Sequence, residues 1–113
     1  MTGFRLVALA IGFGLSAGAA MAQSASPYDM TYALRDGKPT TLYADMSETS
    51  AKKGTLPGDA KGIVLRRCRD EIPFGSWQFG SRKAQLGLLD ARWCEISYNG
   101  AVVNVPGKVL TPQ

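Results

Sequence analysis

Histidine is absent from this 113-residue sequence, and cysteine occurs only twice, at Cys68 and Cys94. Without an imidazole, Ser–His and Cys–His nucleophile pairs and histidine-ligated metal sites are excluded. Acidic residues are also sparse, with 9 Asp and Glu against 13 Lys and Arg. Asp70-Glu71 is the one adjacent carboxylate pair. Sequence neighbours on a strand or loop seldom share a site, so the pair reads as solvated charge. Ion pairs of Asp90 with Arg92, or of Asp70 with Arg66, Arg67 or Arg69, read the same way. The chain therefore carries no acid–base constellation; no catalytic residue, metal site or cofactor is expected, and the chain reads as a non-enzyme. A net charge of +4 is a mild bias that favours acidic polymers or surfaces without specifying one. It is too slight to suggest nucleic acid as the partner.

Long apolar runs are missing too, with one exception near the start. Arg5 precedes an uncharged stretch from Leu6 to Met21, which is too short and too rich in glycine and alanine for a membrane span. The stretch ends in Ala20-Met21-Ala22 before Gln23, the small-x-small pattern of a cleaved secretory signal. Residues 1–22 are therefore expected to be a signal peptide, cut between Ala22 and Gln23. The product would be one small periplasmic or secreted domain with no membrane span. In that oxidising setting Cys68 and Cys94 are expected to form a disulfide worth on the order of 3 kcal/mol.

What remains is mostly β-patterned. After a polar lead-in with Pro27, Thr31–Leu34 and Thr40–Ala44 are β-prone patches separated by the turn signal Asp36-Gly37. "SETSAKKG" reads as a surface loop and Leu56-Pro57-Gly58-Asp59 as a turn. Lys61–Cys68 reads as a strand, in which Ile63, Val64 and Leu65 cannot all face one side. "WCEISYNGAVVNV", residues 93–105, alternates, turns at Asn99-Gly100 and alternates again; Asn-Gly is the strongest short hairpin signal. Lys108-Val109-Leu110 allows one last strand. Between the cysteines, residues 69–90 break the pattern. They hold Phe74, Trp77 and Phe79 among glycines, then a short helix that Ser81 would cap. A bridge between the cysteines would pin the two feet of this insertion, provided the flanking strands are antiparallel neighbours.

The stretch Trp93-x-x-Ile96-x-Tyr98-Asn99-Gly100, followed by Val103-Asn104-Val105 and Val109-Leu110, resembles the C-terminal half of bacterial SH3-like (SH3b) domains. "KGTLPGDAKGIVL" is similar to the family's preceding segment, and "TTLYADMSETS" occupies the place of its Leu-Asn-Val-Arg-Ser-Gly-Pro motif. Val103 and Asn104 stand where the family has Gly and Trp. The resemblance spans residues 40–111. It implies a mainly β fold: a small SH3-like β-barrel of five to six short strands, with residues 23–39 as lead-in and first strand, 40–113 as the domain, and the 69–90 insertion carrying a short helix. It also implies binding of peptidoglycan or peptides.

The functional expectation is an exported, non-catalytic binding module that recognises cell-wall glycopeptide or an extended peptide. The alternative is a periplasmic interaction or inhibitor protein with no cell-wall affinity. The expected binding residues are Trp77, Phe79 and Arg82, with Phe74, Trp93 and Tyr43, lining a groove between the insertion and Tyr43–Glu48. Aromatic faces beside cations suit sugar rings and acidic groups. The same aromatics could instead fold the insertion onto the sheet as a satellite core. On strict alternation Arg66 and Arg67 point to opposite faces, which splits the basic cluster Arg66-Arg67-Cys68-Arg69.

Overall fold

A computed structural model describes residues 25–113. The signal-peptide segment and its Ala22–Gln23 cleavage point lie outside the described residues. The strands are β1 (Thr31–Leu34), β2 (Thr40–Tyr43), β3 (Lys52–Leu56), β4 (Ile63–Cys68), β5 (Trp93–Tyr98), β6 (Ala101–Pro106) and β7 (Leu110–Pro112). Two helices, α1 (Phe74–Gln78) and α2 (Arg82–Asp90), fill the insertion between β4 and β5. All seven strands form one antiparallel sheet in the order β3-β2-β6-β5-β4-β1-β7.

Period-2 alternation builds the core. Ile63 and Leu65 on β4, Cys94 and Ile96 on β5, and Val103 and Val105 on β6 share the inner face and are buried. Val64, the middle member of the apolar triplet, faces outward and is exposed. Tyr32, Leu34, Leu56 and Leu110 extend the inner layer, and Ile72, Trp77 and Leu89 from the insertion join it. The β5–β6 hairpin turns on Asn99 and Gly100 alone, with φ of 49° and 84°, the two positive values that a type I′ turn requires.

The mainly β expectation is met, but the sheet is open and has more strands than the five to six expected. β3 pairs only with β2, and β7 only with β1. Each edge has a physical reason to stay unpaired. On β3, Lys52, Lys53, Gly54 and Thr55 are exposed and offer no apolar face to a closing partner. On β7, the Leu110 carbonyl accepts from Arg35 (2.8 Å), the Pro112 carbonyl accepts from Arg82 (3.1 Å), and Pro112 has no N–H to donate. The final strand starts at Leu110 rather than Lys108, because Gly107–Val109 forms a single 3₁₀ turn.

The disulfide forms as expected. Cys68 and Cys94 lie opposite each other on β4 and β5 with α-carbons 3.9 Å apart, and their sulfurs are bonded. The Arg69 N–H donates to the Trp93 carbonyl (2.8 Å) one step beyond the pair, which makes the cysteines a non-hydrogen-bonded pair, the closely spaced kind in an antiparallel ladder. The bridge therefore closes the stem of the insertion. Further ties hold its body down. The Ile72 N–H donates to the Tyr28 hydroxyl (2.9 Å), and Arg92 donates to the carbonyls of Asp70 and Leu88 (both 2.7 Å). Arg35 reaches Asp90 at 2.6 Å. Gly107 is required where the end of α2 meets the sheet, because a β-carbon there would lie 2.2 Å from the Leu89 carbonyl oxygen.

Candidate binding surface

The outer face of the sheet collects the chemistry that the sequence left scattered. A β-bulge interrupts the β4–β5 register between Leu65 and Arg67: Leu65 opposes Ile96 while Arg67 opposes Glu95, leaving Arg66 as the extra residue. The bulge overturns the alternation reading of the basic cluster. Arg66 and Arg67 both reach the same oxygen, Oε1 of Glu95, through their Nε atoms at 3.2 and 3.5 Å. Asp70 is not their partner, and Asp90 pairs with Arg35 rather than Arg92.

From Glu95 the row continues across the sheet. Glu95 opposes Asn104 on β6, Asn104 opposes Tyr43 on β2, and Tyr43 opposes Lys52 on β3. Asn104 is a buried polar residue whose amide donates to the carbonyls of Ala44 (3.0 Å) and Tyr43 (3.4 Å), fixing the start of the β2–β3 loop to the hairpin. Trp93, two residues before Glu95 and on the same face, meets Tyr43 edge-to-face with ring centroids 5.5 Å apart. The Lys52 ammonium sits 5.8 Å from the Tyr43 ring centroid. Arg69 donates through Nη2 to the Met46 carbonyl and ties the insertion's first residue to the same loop. One pleat along, Val64 and Val102 flank Ser97 and add exposed apolar surface. The result is a stripe that reads cation, aromatic pair, amide, carboxylate and two guanidiniums. It lies on open surface; no pocket occurs among the described residues.

The six expected binding residues divide. Tyr43 and Trp93 come together on this stripe. Trp77 does not reach the surface: it is 1% exposed, its ring centroid is 6.4 Å from that of Tyr32, and its carbonyl accepts from Gln85 (3.0 Å). Placing Trp77 in a ligand groove is therefore corrected to a core role. The reason is size, since a small domain buries its largest apolar side chain where it can. Arg82 braces α2 against β7 through the Pro112 carbonyl. Phe74, the first residue of α1, and Phe79, the residue just past its end, stay exposed, at 46% and 84%. Of the stripe, sequence reading missed Lys52, Glu95 and Asn104, and it scattered Arg66 and Arg67. No group of carboxylates or thiols suited to a metal ion occurs among the described residues. No helix among them is long and apolar enough to cross a membrane. Comparison with known proteins finds no match among family models, curated proteins or solved structures.

Proposed function

We propose that this chain is an exported, non-catalytic binding module that holds cell-wall glycopeptide, or an extended peptide of similar chemistry, across the outer face of its sheet. The observation that carries the reading is the Tyr43–Trp93 pair set between Lys52 on one side and Arg66 and Arg67 on the other. Half-buried aromatic rings offer apolar faces to sugars and aliphatic side chains, and guanidiniums take carboxylates. Export rests on the Arg5–Ala22 segment, and kinship with SH3-like domains rests on the Trp93–Gly100 hairpin motif. The disulfide and its buried position suit an oxidising compartment. Co-sedimentation of the purified protein with peptidoglycan sacculi tests the proposal. Saturable binding that Tyr43→Ala and Trp93→Ala weaken supports it; a protein left wholly in the supernatant at low salt removes it.

One observation favours a second reading, a periplasmic interaction or inhibitor protein without cell-wall affinity. Phe74 at the start of α1 and Phe79 just past its end project into solvent, and exposed aromatics of this kind mark protein-docking surfaces. Capture of one specific periplasmic protein, lost with Phe79→Ser and kept with Trp93→Ala, would favour this reading over the first.

A further inference from the structure

We infer that Arg66 and Arg67 form a carboxylate-binding site, the anchor point for a ligand that carries a free carboxyl group on an extended chain. The inference rests on the binding-module reading and adds the chemical class of the group recognised. A β-bulge is the device that creates the site. Regular pairing would send two consecutive arginines to opposite faces, whereas the extra residue at the Leu65–Arg67 shift brings both to Glu95.

The geometry leaves the recognition ends free. Arg66 donates its Nε–H to Oε1 of Glu95, and the Arg67 Nε faces the same oxygen as an ion pair at 3.5 Å, so the paired Nη groups that grip a carboxylate in fork fashion stay available on both. Both side chains remain accessible, at 52% and 65%. Two guanidiniums against one carboxylate leave surplus positive charge at the spot. Their contact with Glu95 positions the side chains before a ligand arrives, which lowers the ordering cost of binding. Neighbouring groups do not compete. Asn104 directs its amide at the β2–β3 loop, and Arg69 is engaged with the Met46 carbonyl.

The spacing defines the ligand further. From β4 to β2 the stripe crosses β5 and β6, which is three strand intervals, or about 14 Å. An extended chain of roughly four residues covers that distance. A ligand anchored by its carboxylate at Arg66 and Arg67 would therefore lay its next units over Trp93 and Tyr43.

The test uses the intact protein and a tetraglutamate peptide, with tetraglutamine acetylated at its N-terminus and amidated at its C-terminus, and so free of any carboxyl group, as the uncharged isostere. Binding is followed by NMR at low salt through the arginine Nε–H resonances. The expected result is saturable movement of the Arg66 and Arg67 signals with tetraglutamate and none with tetraglutamine. Arg66→Gln with Arg67→Gln should weaken binding at least tenfold and leave the thermal midpoint unchanged. Lys61→Gln with Lys108→Gln removes the same charge from exposed positions elsewhere and should change binding less than twofold. Absence of saturation, equal binding of tetraglutamine, or equal losses in the two double variants would overturn the site. Sacculi with their carboxyl groups converted to amides separate this inference from the broader reading. If native sacculi bind and amidated sacculi bind equally well, the module reading stands and the carboxylate site falls. If tetraglutamate saturates as expected while native sacculi stay unbound, the site stands and the cell-wall reading falls.

Discussion

Replacing Trp77 with alanine distinguishes a core tryptophan from a ligand-binding one. Trp77 is 1% exposed and packs in the cluster that joins the insertion to the sheet. Truncating a buried Trp to Ala costs about 3–5 kcal/mol through lost transfer energy and the cavity left behind. A unit the size of residues 25–113 holds about 4–13 kcal/mol in total, at about 0.05–0.15 kcal/mol per residue. For a domain this small, each kcal/mol moves the thermal midpoint by about 4–8 °C. Trp77→Ala should therefore lower the midpoint by about 20 °C or abolish cooperative melting. The Cys68–Cys94 bridge still holds the stem in the variant, so the damage should concentrate in the insertion. Trypsin should cut at Arg82 or Lys83, and the fragments should separate on a gel only after reduction. Calorimetry and limited proteolysis read both effects. A midpoint shift below about 5 °C, which corresponds to about 1 kcal/mol or less, would refute the core assignment.

Other perturbations follow from the same packing. Reduction of the disulfide should be slow in the native state, because Cys68 and Cys94 are buried; replacing both with alanine should cost about 3.5 kcal/mol by chain entropy, measured by urea unfolding. Gly107→Ala drives a methyl group into the Leu89 carbonyl and should destabilise by more than about 2 kcal/mol, whereas Gly75→Ala, where the space is open, should be close to neutral. Burial, with the nearby Tyr28 hydroxyl adding to it, raises the Tyr32 pKa well above its ordinary value near 10; its hydroxyl donates to the Pro27 carbonyl at 2.7 Å. The folded state thus keeps a proton that the unfolded chain releases. The stabilisation is full below about pH 10 and is lost as pH rises beyond it. Tyr32→Phe should flatten that alkaline decline in melting temperature.

Local signals in the chain account for much of this architecture. Asn99-Gly100 between two alternating runs specifies the β5–β6 hairpin, Ser81 caps α2 through the Ala84 N–H, and Asp36-Gly37 separates β1 from β2. The cysteine pair is legible because each member ends or begins a recognisable strand. Strand β3 is not legible: Lys52-Lys53-Gly54-Thr55 lies at an edge with no covered face, so it needs no hydrophobic alternation. Helix α1 escapes notice because Pro73 and Gly75 mask it and the burial of Trp77 outweighs their local preference. The binding stripe escapes for a different reason. It depends on a register shift at Arg66 and on cross-strand neighbours more than 50 residues apart, such as Tyr43 and Asn104. No local pattern in one sequence encodes those.

The two tryptophans allow the most direct measurement, because one is assigned to ligand and the other to core. In a two-dimensional NMR spectrum their indole N–H signals are easily separated from the backbone. Soluble peptidoglycan fragments added to the protein should shift the Trp93 indole and the backbone amides of Tyr43, Lys52 and Arg67, and leave the Trp77 indole in place. Shifts confined to Trp77 and residues 74–82, with Trp93 unmoved, would contradict recognition by the outer face of the sheet.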